Sequence, residues 1–237
     1  MKAVILNSGL GKRMGHLTRN RPKGMVEIIP GVSPLDLQVQ RLLKAGITKT
    51  VITTGPFADV LVEHVTSKYP EMEFTFVNNA DYESTNYIYS IALAADKLRG
   101  EDIILMHGDL VFDESVLEDV IHCKESVMVV DSTLSLPEKD FKAVVDGTQI
   151  QKVGIEFFES ALAAQPLYHL TEADWTIWLE EILAFCAADN KKVYAENALN
   201  NVLNNINLQT LDVKGRLCGE IDTEEDLIIM RTKMNLV

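Results

Sequence analysis

Short apolar runs alternate with amphipathic stretches along most of the first half of the chain. Residues 2–6 form a β-rich run that leads straight into a glycine loop. Residues 35–45 carry apolar positions at helical spacing and stop at Gly46, a natural helix C-terminus. Residues 50–54 read as a buried strand and 60–69 as a helix with Pro70 beyond it; 74–77 is a strand, 86–98 a helix ending near Gly100, and 102–106 a strand ending at His107-Gly108-Asp109. Residues 115–122 read as helix and 127–130 as strand. This alternation predicts an α/β fold, a mixed and mostly parallel sheet with helices on both faces.

The second half is less regular. Residues 143–145 and 150–153 flank Asp146-Gly147 and predict a hairpin. Residues 171–186 read as a helix, with Thr171 as N-cap and Asp174 in its first turn. Residues 208–213 and 217–221 read as late strands and 223–233 as a closing helix. With no repeat and no linker, the expectation is one domain over 1–237. Residues 1–134 form its first half, and an elaboration from about 135 supplies the second.

Composition narrows the function. Apolar residues make up 47% and charged residues 24%, an ordinary globular mixture. The formal net charge of -13 opposes nucleic-acid phosphates and anionic membranes, so no nucleic-acid partner is expected. No apolar run approaches the roughly 20 residues of a membrane span. The stretch 1–6 is too short for a signal-peptide core. Cys123, Cys186 and Cys218 form no metal pattern or disulfide framework, which predicts a cytoplasmic protein. A phosphate site in so acidic a chain must be a local island of cations.

The run Leu6-Asn7-Ser8-Gly9-Leu10-Gly11-Lys12-Arg13-Met14 offers one, continued by Thr18, Arg19, Arg21 and Pro22-Lys23. Glycines after a strand let backbone N–H groups approach a nucleotide; the same residues also read as a glycine turn beside a solvated basic face. Met14 stands where a dinucleotide fingerprint needs a third glycine, and Arg13 where a Walker A loop needs Ser or Thr, so neither motif is present. Asp109 lies at the carboxyl end of an apolar strand, where ligands collect in open α/β sheets; it reads as a magnesium ligand or as a turn cap. His107 reads as a hydrogen-bonded strand-end histidine without chemistry. In Glu220-Ile221-Asp222, two carboxylates on one strand face repel unless a cation lies between them. Asp222 equally reads as the N-cap of the closing helix, with Glu225 completing a capping box.

Gly9, Gly11, Arg13, Met14, Thr18, Pro22 and Lys23 together resemble the glycine-rich motif of the sugar-phosphate nucleotidyltransferase superfamily. The segment Ser84-Thr85-Asn86-Tyr87-Ile88-Tyr89-Ser90, with Gly108-Asp109 and Glu220-Ile221-Asp222, is similar to bacterial phosphocholine- and phosphonate-type cytidylyltransferases. The chain departs from the superfamily's usual A-A-G at Asn7-Ser8-Gly9 and matches loosely over 135–215. The resemblance implies the nucleotide-diphospho-sugar transferase fold. It implies CMP transfer from CTP to a small acceptor such as phosphocholine, aminoethylphosphonate or phosphoglutamine, with pyrophosphate leaving. It assigns magnesium to Asp109, Glu220 and Asp222. Arg13 then holds the β,γ-phosphates and Lys23 the α-phosphate. Nucleotide contacts fall to Leu6, Asn7, Ser8, Gly9, Gly11, Lys12, Asn79, Ser84, Thr85 and Gly108. The acceptor falls to Tyr194, Glu196, Asn197 and Asp174 or its neighbour Trp175, although Trp175 and Trp178 also read as helix core. Two alternatives stand beside it, a sugar-1-phosphate nucleotidyltransferase and a non-catalytic nucleotide-binding homologue. Intact Asp109, Glu220, Asp222, Arg13 and Lys23 argue against the second.

Overall fold

A computed structural model describes residues 1–234. The chain runs β1 (Lys2–Asn7), α1 (Pro34–Lys44), β2 (Lys49–Thr54), α2 (Ala58–Lys68), β3 (Glu73–Asn78), α3 (Tyr87–Ala94), β4 (Ile103–His107), β5 (Leu110–Phe112), α4 (Glu114–His122) and β6 (Ser126–Asp131). It continues through β7 (Lys142–Asp146), β8 (Gln149–Gly154), β9 (Ala161–Leu170), α5 (Glu172–Ala187), α6 (Ala195–Val202), β10 (Leu208–Asp212), β11 (Cys218–Glu220) and α7 (Glu224–Lys233). Two short 3-10 helices, Lys12–Thr18 and Lys23–Met25, carry the glycine-loop region.

Nine strands form one sheet in the order β3-β2-β1-β4-β9-β6-β10-β8-β7, and β7 also pairs back onto β9. The sheet is mixed, as expected, but not mostly parallel. β3, β2, β1 and β4 are parallel, as are β6 and β10. β9 inserts antiparallel between β4 and β6, and β7 and β8 add antiparallel pairings. β9 is the element the sequence pattern misses. Its Gln165 and Pro166 argue against a central strand, since proline cannot donate to a ladder. The ladder accommodates them with a register shift against β6 between Met128 and Val130. β11 pairs with β5 in a separate two-stranded ribbon rather than in the main sheet.

Alternating residues of β1 enter opposite cores, the period-2 consequence of a sheet covered on both faces. Val4 and Leu6 pack with Ile88, Ile91, Trp178 and Leu199 from α3, α5 and α6. Ala3 and Ile5 pack with Leu35, Leu42, Leu61 and Val116 from α1, α2 and α4. Trp175 and Trp178 are core residues whose indole N–H groups donate to Leu98 O and Ala195 O, so Trp175 does not face an acceptor. A third cluster, with Met14, Ile221, Leu227 and Met230, seats α7 under the glycine-loop region.

Candidate active site

β1 and β4 lie side by side, with Leu6 opposite His107, so their carboxyl ends deliver the glycine loop and Asp109 to one edge of the sheet. A cavity of about 370 Å³ opens there. Leu6, Asn7, Ser8, Gly9, Gly11, Lys12, Arg13, Lys23, Asn79, Thr85, Asp109, Tyr194, Glu220 and Asp222 all line it.

The loop is held by its own motif residues. Gly11 takes a left-handed backbone, φ 59°, and a Cβ there would press on Lys23 Cβ and Thr18 Cγ2 at 3.1 Å. The Thr18 hydroxyl donates to Gly11 O at 3.0 Å. The spacing from Gly11 through Thr18 to Lys23 is thus one packing unit that aims Lys23 into the cavity. Directly behind it, a Cβ on Gly24 would overlap Gly108 O and Asn7 Oδ1, and a Cβ on Gly108 would overlap the Asn7 amide. Gly108 therefore lies beneath the cavity wall and does not line it.

Lys23 is the centre of the charge arrangement. Its ammonium contacts both Asp109 and Asp222, and Arg13 Nη2 reaches Asp222 Oδ1 at 2.9 Å. Burial works against the ammonium, but Asp109 and Asp222 outweigh it and hold Lys23 above the usual lysine range. Glu220 goes elsewhere: its Oε1 meets His107 Nδ1 at 2.9 Å. Burial, with Asp109 nearby, raises the Glu220 carboxyl despite this partner. Burial opposes the His107 imidazolium, and Glu220 overcomes it and raises His107. The expectation of one strand face is corrected here. β11 ends at Glu220, Ile221 is buried, and Asp222 lies beyond the strand. Thr223, not Asp222, caps α7, and Asp226, not Glu225, completes its capping box. That leaves Asp222 free for the cavity.

His107, Asp109 and Glu220 bring one donor atom each within 4.8 Å of one another. Asp222 supplies a further carboxylate at the same floor, where Lys23 already shows that Asp109 and Asp222 accept a shared cation. Hard carboxylate oxygens of this kind fit a divalent cation such as magnesium.

The opposite wall is polar and aromatic. Ser8 Oγ and Ser90 Oγ lie 2.6 Å apart, and Asn79 Nδ2 donates to Ser90 Oγ and Thr85 Oγ1, each at 3.0 Å. Ser84 is turned away, bonded to Asp81 O at 3.2 Å. Tyr87 packs edge-on against His107 at 4.9 Å between centroids, and Tyr194 lies between Tyr87 and Phe141 at 5.9 and 5.1 Å. Glu196 stands behind this wall, 2% exposed, and receives the hydroxyls of Tyr87 and Tyr168. Burial and this carboxylate push both phenols well above their usual range. Asn197 does not line the cavity; its Oδ1 accepts the Tyr194 N–H at 2.9 Å and starts α6. Glu196 and Asn197 thus shape Tyr87 and Tyr194 from behind.

Asp174 is not at this site. Its Oδ2 accepts from Ser126 Oγ at 2.5 Å, at the start of β6. His169 pairs with both Ile104 and Val127, so Ser126 is level with the start of β4, the sheet edge opposite Asp109. Sequence reasoning also missed cavity residues. Tyr82, Asn86, Tyr87 and His107 line it, as do Lys139, Asp140, Phe141 and Ile155. Asn86, Tyr87 and His107 stood inside sequence motifs; the others lie in loops that carry no motif.

Residues 2–140 match the nucleotidyl transferase family, to which the chain belongs; it is a nucleotidyltransferase. The chain is 26% identical over 258 aligned positions to the CTP:phosphoglutamine cytidylyltransferase of Campylobacter jejuni, covering 98% of this chain and 100% of that one. It is 31% identical over 116 residues to the choline-phosphate cytidylyltransferase of Haemophilus influenzae, covering 49% of this chain and 47% of that one. Among solved structures, the CTP:phosphocholine cytidylyltransferase from Streptococcus pneumoniae superposes with a TM-score of 0.80 at 18% identity, over 98% of each chain. The inositol-1-phosphate CTP transferase from T. maritima superposes at 0.80 and 21%, over 99% of this chain and 95% of that one. These structures share the fold. No described helix is long and apolar enough to cross a membrane.

Proposed function

We propose that this enzyme transfers the CMP of CTP to a small phosphorylated or phosphonate acceptor and releases pyrophosphate. The observation that carries the reading is Lys23, held by Asp109 and Asp222 on the floor of a cavity walled by the glycine loop. An acceptor phosphate oxygen attacks the α-phosphorus, the bond to the β-phosphate oxygen breaks, and pyrophosphate leaves with that electron pair. An acceptor phosphate is already ionised near neutral pH, so the protein supplies position and charge rather than a general base. Lys23 faces the α-phosphate and Arg13 the leaving phosphates. The loop from Leu6 to Gly9, with Asn79 and Thr85, takes the base and ribose. Asp109, Asp222 and Glu220 would hold magnesium, which neutralises charge on the phosphates when bound.

The choice of CTP is supported by relatives named as cytidylyltransferases for phosphoglutamine, choline phosphate and 2-aminoethylphosphonate. A wall of Tyr87, Tyr194 and Phe141 beside Glu220 suits an acceptor that carries an ammonium group. The free thiols of Cys123, Cys186 and Cys218 suit a reducing cytoplasm. The test is pyrophosphate release in a matrix of four NTPs against phosphocholine, 2-aminoethylphosphonate, phosphoglutamine, inositol 1-phosphate and glucose 1-phosphate. Turnover is expected with CTP and an amine-bearing acceptor. Turnover with UTP or dTTP and glucose 1-phosphate alone would make the enzyme a sugar-nucleotide pyrophosphorylase.

A further inference from the structure

Lys142 opens β7 with a side chain that is 0% exposed, a rare place for a lysine. Its ammonium has no carboxylate within ion-pair distance among the described residues. It donates instead to Pro137 O at 2.5 Å and Asp140 O at 3.1 Å, and lies 4.2 Å from the centroid of the Phe158 ring. A buried charge without a directly paired carboxylate is costly, since Asp140 acts on it only from beyond ion-pair distance, and an apolar residue of the same length would fill the space without that cost. β7 itself does not need the charge: its neighbours Phe141 and Ala143 are buried apolar residues. What the ammonium does fix is the backbone on either side of Glu138-Lys139, through the two carbonyls that bracket this pair.

Lys139 lines the cavity. The cavity's formal cations are Lys12, Arg13, Lys23 and Lys139. Arg13 and Lys23 are engaged by Asp222 and Asp109, whereas Lys12 and Lys139 have no carboxylate partner among the described residues. Asp140, next to Lys139, lines the same cavity as Arg13 and Asp222. The tip of the 132–141 segment therefore reaches the cavity that Arg13 lines.

We propose that Lys139 contacts the β,γ-phosphates of the nucleotide, and that Lys142 is the positioning residue that holds it there by tying down the backbone around it. The proposal rests on the nucleotidyltransfer reading of the cavity, and it extends the phosphate site to a loop outside the glycine motif.

Inorganic pyrophosphate is common to every nucleoside triphosphate, so its binding with magnesium, measured by calorimetry, tests the contact whatever the base or acceptor. Lys139→Ala should weaken it about tenfold, the low end for a charge-assisted hydrogen bond at an open rim. Lys142→Met keeps the volume and removes the tether, so it should weaken binding by a similar factor while Lys139 itself is intact. The Lys139→Ala/Lys142→Met double variant should bind no more weakly than either single variant, the signature of two residues acting through one contact. In the pyrophosphate-release assay both single variants should raise KM for the nucleotide more than they lower kcat. Independent, additive losses would overturn the positioning role, as would a Lys142→Met protein that melts earlier but binds pyrophosphate like the parent. Lys139→Ala changes an exposed side chain and leaves the fold intact; unchanged pyrophosphate affinity in that variant overturns the proposal by itself. A parent protein that binds pyrophosphate in this Lys139-dependent way, yet releases none from any NTP and acceptor, would count against the proposed reaction and leave the Lys139 contact standing.

Discussion

Lys23→Ala removes the cation that touches Asp109 and leaves Asp222 with Arg13 alone. The side chains of Lys23, Asp109 and Asp222 are 21%, 6% and 16% exposed, so the charges are only partly screened by water. Breaking a fully buried pair costs about 3–5 kcal/mol, and this partial exposure brings the expected loss to about 2–3 kcal/mol. In a domain of this size that lowers Tm by about 4–12 °C. Magnesium should then act differently on the two proteins. In the variant the carboxylates of Asp109, Asp222 and Glu220 face one another without Lys23, so a divalent ion can bind them without displacing an ammonium. At 10 mM MgCl2 and a Kd of about 1 mM the gain is about 1.4 kcal/mol, or about 3–6 °C. In the parent the ammonium competes; a tenfold weaker site gains about 0.4 kcal/mol, or about 1 °C. Turnover follows the opposite course. With magnesium and nucleotide saturating, Lys23→Ala should remain about 10²–10³-fold slower, because on the proposed mechanism a metal would replace the charge but not a donor at the α-phosphate. Scanning fluorimetry with and without magnesium, paired with pyrophosphate release, measures both. A variant as stable as the parent, equal magnesium shifts in both proteins, or undiminished turnover would each refute the reasoning.

Two further outcomes follow from residues away from the phosphates or beneath them. The buried Asp36 carboxylate meets His64, Lys68 and Tyr69 at 2.8 Å; burial raises its pKa, but its hydrogen bonds, led by Lys68 and Ser33, outweigh that and hold it well below the usual carboxylate range. Its stabilisation is thus complete above the unfolded pKa of about 3.9 and is lost as pH falls below it. Asp36→Asn should cost about 2–3 kcal/mol at pH 7, and in urea titrations its gap from the parent should narrow between pH 5 and pH 2; a gap independent of pH would refute the charge assignment. Gly24→Ala places a methyl group on Gly108 O and the Asn7 amide, so it should destabilise by about 1–3 kcal/mol and reduce turnover by displacing Lys23 and Asp109 together. Unchanged turnover with a folded protein would show that the two segments are not coupled through that contact.

The parts of the site legible in the sequence are those whose geometry is local. Gly11, Thr18 and Lys23 pack on one another, so their spacing carries the structure with it. Asp109 follows a strand whose apolar run marks its own end. Glu220 and Asp222 were legible as an acidic pair, but their division between His107 and Lys23 depends on where β11 ends, which a period-2 pattern does not reveal. Asp174 misled because an acidic residue beside tryptophans resembles a cation pocket, whereas here it binds Ser126 at the far sheet edge. The rim at Lys139, Asp140 and Phe141 was not legible at all. Its position follows from β7 pairing back onto β9, a non-local closure through the strand that Gln165 and Pro166 disguise.

A chain of net charge -13 can receive a triphosphate only where that charge is offset locally. The cavity's formal cations, Lys12, Arg13, Lys23 and Lys139, equal in number the carboxylates Asp109, Asp140, Glu220 and Asp222. Those formal charges cancel, in a surface that repels anions. The 132–141 loop brings Lys139 and Asp140 together, so it adds no net charge but puts at the rim a lysine without a carboxylate partner among the described residues. The balance then turns on how these carboxylates are used. Asp109 and Asp222 neutralise Lys23 and Arg13 in the protein as described, so a nucleotide gains little from those cations until something else satisfies the acids. On the proposed reading, a divalent cation held by these carboxylates would supply that charge and leave Lys23 and Arg13 to the phosphates. Nucleotide affinity should therefore fall sharply when divalent ions are chelated, and fall further for Lys139→Ala than for the parent, because Lys12 is then the one cavity cation without a carboxylate partner among the described residues. Calorimetry with CTP in EDTA and in MgCl2 measures this; a nucleotide affinity indifferent to chelation would refute the charge accounting.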